Sequence, residues 1–431
     1  MKKNRWMIGV STRQGTTNLV PFFQFSGDRL ILLETDRAGK EGWSVGPERV
    51  IKKRNKEKRN KECMIVSIHS GSDLVDLEEI ITKQVETVPE NTDLWWIIGG
   101  GQKLQQLALS NYFTRRLDQG HDDMACYTEP QEQATYIIEP RDPNDKKRLK
   151  SSRQATDCFM EMDEILSIFG YTSKKKTCLW QRAKEDSCEI YGKEHLLTPE
   201  QDKWFDDFHK RQDMFQYILD KKEKNPSLPK PGNFFPINFT DSDISEDRDL
   251  GKYFERLVQT RITQTVAEHP GQHRINQVWG NVHVYKHGGN IEIAEYDVLL
   301  VTNFGTIIPI DAKSYDFKKR DEDARLHNLD KLSGAYTDFW SVFPYYQADF
   351  SQDSIVQKNN LWKKLLHNPF SLKERNSKML CVSEPGNTVF HIQKTRKNKI
   401  CIVDPKEVHK NKDFLKIKTI STLLETLKLE K

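Results

Sequence analysis

The sequence predicts an α/β protein: an N-terminal parallel sheet with helices on both faces, a connecting region, and a C-terminal α+β unit. Three observations carry this. Over residues 1 to about 140, short apolar runs alternate with stretches of helical period, the pattern of strands joined by crossover helices. From about 141 to 245 the chain turns charged and then rich in Pro, Asn and Asp, which reads as a helical connector ending in a linker. From 246 to 431 a long amphipathic stretch leads into three apolar runs separated by turn residues, an antiparallel arrangement.

In the first unit, "WMIGVS", "RLILLET", "CMIVSIH" and "DLWWIIGGG" are buried strands, because each is a short apolar run between polar segments. "TTNLVPFFQF", "SDLVDLEEIITKQVETV" and "QKLQQLALSNYF" read as the intervening helices, the second with Ser72 or Asp73 as N-cap. The charge run "KKRNKEKRNKE" at 52–62 reads as a solvated loop. In the connector, "CFMEMDEILSIFGY" and "DKWFDDFHKRQDMFQYILDKK" have amphipathic spacing, and Pro226 to Pro236 limit how freely the last unit can swing. That unit opens with the helix "EDRDLGKYFERLVQTRITQTVAEH" and continues as "NVHVYK", "NIEIAEYDVLLVT" and "TIIPIDAKS". The turns His287-Gly288-Gly289-Asn290 and Asn303-Phe304-Gly305-Thr306 separate the strands. Helical material is expected from about Asp321 to Phe343.

Composition excludes several function classes. A net charge of +4 over 431 residues is too mild to signal nucleic acid by itself. No run reaches the ~18 apolar residues that cross a membrane, and the basic start lacks an apolar leader core, so a cytoplasmic protein with no membrane partner is expected. The seven cysteines are odd in number and scattered without a CxxC pair, which argues against a zinc site or a disulfide framework.

The stretch "IPIDAKS" carries chemistry, since Asp is disfavoured inside strands. Side chains alternate along a strand, so Asp311 and Lys313 share a face, as do Glu295 and Asp297 on the strand before. If Val301 pairs with Ile307 across the turn, Leu299 meets Pro309, Asp297 meets Asp311 and Glu295 meets Lys313. Facing carboxylates repel. Two resolutions are open: a divalent cation held by oxygen ligands, with the lysine as a second charge for phosphodiester hydrolysis, or a surface salt-bridge ladder to Lys313. Tyr315, Tyr336 and Trp340 are near enough in sequence to stack on unpaired bases, or else to pack in the core.

"GKYFERLV" followed by "AEYDVLLV" and "IPIDAKS" resembles the PD-(D/E)xK, restriction-endonuclease-like superfamily over about 65 residues. The resemblance implies a catalytic set of Glu255, Asp297, Asp311 and Lys313, with Glu255, Asp297 and Asp311 as ligands of Mn²⁺ or Mg²⁺. Tyr296 stands where the motif's proline is usual. In the first unit, "GVSTRQGTTNLVPFFQF" and "WWIIGGGQKLQQLAL" look like the two ligand loops of a CARF domain, the Rossmann-like sensor of type III CRISPR systems. Those loops comprise Ser11, Thr12, Arg13, Gln14, Thr16 and Asn18, then Gly99, Gly100, Gly101, Gln102 and Lys103; Thr35, ending the second strand, is either a further pocket residue or a plain strand end. The physical logic is independent of the name: both loops lie at carboxyl ends of strands, where doubly wound sheets bind ligands. There a glycine-rich turn, a helix N-terminus and Lys103 favour an anion.

Together the two units resemble the CRISPR-associated ancillary nucleases. That resemblance implies a homodimer binding one cyclic oligoadenylate, usually the tetra-adenylate, and a metal-dependent nuclease unit that then cuts DNA or RNA. Two other readings stay open at this level: a restriction or repair nuclease not gated by such a ligand, and a ligand-responsive regulator whose nuclease-like unit is inactive.

Overall fold

A computed structural model describes residues 3–56, 61–69, 72–129, 132–140, 150–182, 188–199, 248–268, 274–312, 339–344, 377–382, 391–394, 400–403 and 414–416. Seven helices are used below: α1 (Thr16–Gln24), α2 (Asp36–Glu41), α3 (Val45–Lys56), α4 (Leu74–Val85), α5 (Lys103–Asp118), α6 (Met162–Ile168) and α7 (Arg248–Glu268).

The first sheet follows from the alternation in the sequence. β1 (Arg5–Val10), β2 (Arg29–Thr35), β3 (Glu62–Ile68), β4 (Asp93–Ile97) and β5 (Met124–Glu129) are parallel. β6 (Ala134–Glu139) and β7 (Lys150–Ala155) add antiparallel at one edge, giving the order β3-β2-β1-β4-β5-β6-β7. The chain runs outward from β1 to β3 and then jumps back to β4, so β1 and β4 flank the switch point. Alternation along β1 splits its apolar residues between two cores. Ile8 and Val10 pack with Leu77, Ile81, Leu109 and Phe113 of α4 and α5, whereas Met7 packs with Leu19 and Phe22 of α1. Asp73 caps α4, accepting from the Val75 and Asp76 backbone N–H groups.

The second sheet is mixed. β8 (Tyr171–Arg182), β9 (Cys188–Ile190), β10 (Ile275–Lys286), β11 (Glu292–Thr302), β12 (Ile307–Ala312), β13 (Phe339–Pro344) and β14 (Ser377–Val382) stand in the order β14-β13-β12-β11-β10-β8-β9. β9 to β12 pair antiparallel through β8; β13 and β14 are parallel to β12. A separate three-stranded sheet holds β15 (His391–Lys394), β16 (Ile400–Val403) and β17 (Phe414–Lys416). Among the described residues no helix is long and apolar enough to cross a membrane.

Three expectations need correction. The charge run at 52–62 is helical as far as Lys56, because Arg54 turns inward. Its guanidinium makes two 2.6 Å bonds to Glu164, donates to the Phe159 carbonyl and lies 3.7 Å from the Phe23 ring centroid. Stripping one partner from such a buried pair costs about 3–5 kcal/mol. The supposed helical connector is largely strand where described: it supplies β7 to the first sheet and β8 and β9 to the second, with Met162–Ile168 an α-helix and Lys193–His195 a 3-10 turn. Three consecutive lysines hid β8, yet Lys176 pairs with Asp163 and lies over the Trp279 ring, while Leu179 and Trp180 are buried. Finally, Phe339–Pro344 is a strand and not the end of a helix; its β-branched and aromatic residues suit the sheet. The second connector helix, the Pro226–Pro236 linker and 313–338 lie outside the described residues.

The two large sheets share one core. Leu19, Phe22, Trp95 and Ile97 from the first, Met160, Ile165 and Leu166 around α6, and Val282, Tyr296, Leu299 and Ile307 from the second form a single buried cluster. Backbone bonds cross the same boundary: Cys158 donates to Asn303, and the Arg274 side chain donates to Gln133.

Candidate functional site

The two loops singled out in the sequence meet at the switch point. The β1 loop leaves the sheet at Ser11, whose N–H donates to Leu33 and whose hydroxyl accepts from Ser44 at 2.7 Å, both serines being buried. Gln14 then closes a turn, accepting from the backbone and hydroxyl of Thr17. Asn18 is buried and its amide donates to the Val10 carbonyl, which ties α1 to the end of β1. The β4 loop approaches so closely that a Cβ on Gly100, at φ +95°, would stand 2.8 Å from Thr17 Oγ1 and 3.3 Å from Thr12 Cγ2. Only glycine fits there. Gln106, one turn into α5, donates to the Gly100 carbonyl.

This sorts the sequence-derived loop residues. Ser11, Thr16, Asn18 and Gly99 are buried and support the loops. Thr35 is buried too, and its hydroxyl caps α2 by accepting from Ala38. Arg13, Gly101, Gln102 and Lys103 are exposed, and Thr12, Gln14 and Gly100 half-buried. Neither α1 nor α5 has a side-chain cap at its N-terminus, so their first N–H groups face the same junction without one. An anionic ligand with hydrogen-bonding edges suits that surface. Ser44 and Gln106 are not among the residues the sequence singles out: Ser44 lies in no motif, Gln106 lies in the quoted β4-loop stretch but past its glycine turn, and only the three-dimensional loop contact reveals their bonds.

At the second place of interest, β11 and β12 pair as Val301↔Ile307, Leu299↔Pro309 and Val298↔Ile310. That register puts Asp297 and Asp311 at the open end of the hairpin. Asp311 is 1% exposed, and Asp297 Oδ2 accepts from the Ala312 N–H at 2.5 Å, so the Asp297 carboxylate reaches the β12 backbone next to Asp311. β12 leads on its other side to β13, where Asp311 faces Ser341 and Ile310 faces Trp340. Glu255 is half-buried on α7, which crosses β11 and β12. Lys313, Tyr315 and Tyr336 lie outside the described residues. Glu295 pairs with His283 across β10, Oε1 to Nε2 at 3.5 Å.

Among the described residues one trio of potential metal-binding side chains lies within 4.8 Å, and it is His283, Glu292 and Glu295. Glu255, Asp297 and Asp311 are not gathered to that degree. The His283 trio is an exposed ion-pair group: a bulge between Val284 and Tyr285 brings Glu292 Oε2 to 2.9 Å from Nδ1, leaving both ring nitrogens engaged. Hydrogen bonds from His283 and then Tyr285 hold the Glu292 carboxyl below its ordinary pKa, against partial desolvation. Burial pushes the Cys158 thiol up to about 12, so it is neutral at ordinary pH.

The hairpin that carries the carboxylates touches α1 at its turn, the end away from Asp297 and Asp311. A Cβ on Gly305, in the β11–β12 turn at φ +75°, would stand 2.4 Å from Val20 Cγ2 and 3.8 Å from Thr16 Cβ. The carboxylate hairpin is thus seated by its turn on α1, the helix that begins at the β1 loop. At Gly15 the same loop abuts Ile168 of α6, which leads through Gly170 into β8 of the second sheet.

Fold and sites define a two-part protein, a doubly wound sheet with an anion-suited loop pair joined to a mixed sheet bearing paired carboxylates. No family model matches the chain and no curated protein matches it. Solved structures do. Protein VC1899 from Vibrio cholerae superposes with TM-score 0.53 at 15% identity, over 81% of this chain and 91% of that one. Can2 from Sulfobacillus thermosulfidooxidans, in complex with cyclic tetra-adenylate, superposes with TM-score 0.53 at 14% identity, over 87% and 93%. At such identities the likeness is one of architecture: the chain shares its overall fold with these two proteins over most of its length.

Proposed function

We propose that this protein is a metal-dependent nuclease of type III CRISPR defence, switched on by a cyclic oligoadenylate bound at the β1/β4 loop pair. One observation carries the reading: the Asp297–Asp311 hairpin rests by Gly305 on the helix whose N-terminus forms the loop pair. The fold shared with a cyclic tetra-adenylate complex supports the ligand class. A twofold cyclic ligand suits an isologous homodimer, with Arg13, Gln102 and Lys103 of each chain facing it.

The donor chemistry suits a hard divalent cation: Asp297 and Asp311 stand at the open end of the hairpin, and Glu255 lies on α7, which packs on β11 and β12, so a cation would have to draw the three carboxylates together. Mn²⁺ or Mg²⁺ bound there would supply Lewis-acid polarisation of a phosphodiester. The chain's own part is to hold these carboxylates at fixed spacing and to bring Lys313, two residues beyond Asp311, to the charge that develops on phosphate. Ligand acts by favouring one arrangement of α1 and the hairpin turn, through unequal affinity for two states.

The deciding experiment incubates the protein with labelled single- and double-stranded DNA and RNA, Mn²⁺, and each cyclic oligoadenylate in turn. Cleavage that needs both metal and one ring size is the expected result. Equal cleavage without ligand would replace this reading with an ungated nuclease; no cleavage of any substrate, with ligand tightly bound, would replace it with a regulator.

A further inference from the structure

α7 reaches the carboxylate hairpin through one buried side chain. Gln259 is 1% exposed, and its amide nitrogen donates to the Asp297 carbonyl at 3.0 Å and to Asn281 Oδ1 at 3.0 Å. Two acceptors at that distance fix which way the amide faces, since its oxygen would be repelled by both. That oxygen is buried and has no hydrogen-bond partner among the described residues. Gln259 follows Glu255 by four residues, so both lie on one face of α7, about 6 Å apart along its axis.

Asn281 is unusual in its own right. It sits inside β10 at φ +51°, a left-handed conformation that few non-glycine residues adopt and that costs on the order of 1 kcal/mol or more. The β10–β11 ladder runs through Gly280↔Val298 and Val282↔Tyr296 and omits the step between them, where Asn281 stands opposite Asp297. On its other edge β10 changes register against β8 between Gly280 and His283. The ladder is therefore interrupted at the residue facing Asp297, and Gln259 bonds to both strands at the interruption. Bulges that re-aim a side chain are frequent beside functional sites.

We propose that Gln259 is a positioning residue: by bonding the Asp297 carbonyl and Asn281 together, it sets the separation of Glu255 on α7 from Asp297 on β11, and with it the affinity of the site for a divalent cation. The inference rests on the reading of Asp297 as a metal ligand. Residues that orient metal ligands in this indirect way characteristically change affinity 10–100-fold when lost.

The test uses the full chain with Mn²⁺ as probe. Mn²⁺ affinity is measured by calorimetry or by the electron paramagnetic resonance signal of the free ion, for wild type, Gln259→Met, Asn281→Gly and Asp297→Asn. Gln259→Met keeps the volume but cannot donate, and about tenfold weaker Mn²⁺ binding is expected, with cleavage recovered at high Mn²⁺. A merely destabilised variant would not be rescued by metal concentration. Asn281→Gly removes the acceptor while tolerating the positive φ, and about threefold weakening is expected; it decides the matter should Gln259→Met not fold. Wild-type Mn²⁺ affinity in both, with binding lost in Asp297→Asn, would overturn the proposal and leave the metal site standing. Wild-type affinity in Asp297→Asn would instead remove the metal site, and the positioning role with it.

Discussion

The β1/β4 loop pair and the β11–β12 hairpin are built of opposite materials. The loop pair is chiefly backbone: a glycine that nothing else could replace, buried serine and asparagine bonds behind it, and a few exposed side chains in front. The hairpin is chiefly side chain, with one carboxyl group almost wholly buried and another reaching the backbone next to it. A site made of backbone shape should degrade gradually under substitution, because no single atom carries it. A site made of two carboxylates should fail outright when either is lost.

The largest expected effect tests that contrast directly. Asp297→Ala and Asp311→Ala should each lower cleavage by several kcal/mol of transition-state stabilisation, on the order of 10³-fold, while cyclic oligoadenylate affinity stays at the wild-type value. Retained cleavage in both would remove the hairpin from the chemistry. Next, Gly305→Ala places a methyl group against Val20 at a positive φ, and should cost about 1–2 kcal/mol of stability. More tellingly, the ratio of cleavage with saturating ligand to cleavage without it should fall several-fold; an unchanged ratio would mean that the turn on α1 transmits nothing.

The loop pair should respond more mildly. Lys103→Glu exchanges attraction for repulsion and should weaken ligand binding about tenfold, with Gln102→Ala losing only ~0.5–1.5 kcal/mol. Titration calorimetry would also report one ring per two chains if the pocket spans a dimer axis. The smallest effect lies outside both sites. Glu292 has a lowered pKa, so its contribution to stability is present above its unfolded value of about 4.3 and is lost as pH falls through the folded one. Urea unfolding of Glu292→Gln should show a deficit of a few tenths of a kcal/mol at pH 7 that disappears near pH 3. A deficit of equal size at both pH values would deny the ion-pair group any electrostatic role.

How much of this was legible beforehand differed between the same two regions. The hairpin itself was legible from the Asn303–Thr306 turn, but its register was a supposition that alternation could not settle, because Val298–Thr302 and Ile307–Ala312 are buried on both faces; the structure pairs Val301 with Ile307. Four of the five parallel strands, the helices α1, α4 and α5 and the glycine loop were direct, whereas α2, α3 and β5 were not read. What could not be read were features decided by partners distant in sequence. Arg54 reads as part of a solvated run because its partner Glu164 is 110 residues away. β8 was missed because its lysines are satisfied by Asp163 and by aromatic faces on another strand. Gln259 and Asn281 have no signature beyond a Gly-Asn pair inside a strand, which hints at a bulge only once the strand is known.

The core common to both large sheets has a consequence for how the molecule comes apart. Leu19 and Phe22 bury against the same cluster as Tyr296 and Leu299, so neither sheet can lose its order without exposing apolar surface of the other. Thermal melting of the two should then be one cooperative event, followed identically by any probe placed in either sheet. A chain cut short after the first sheet would present that uncovered apolar face to solvent and aggregate. Swapping one sheet for that of a distant relative would require recutting the cluster around Met160, Ile165 and Leu166 as well, which makes this architecture far less modular than its two-part layout suggests.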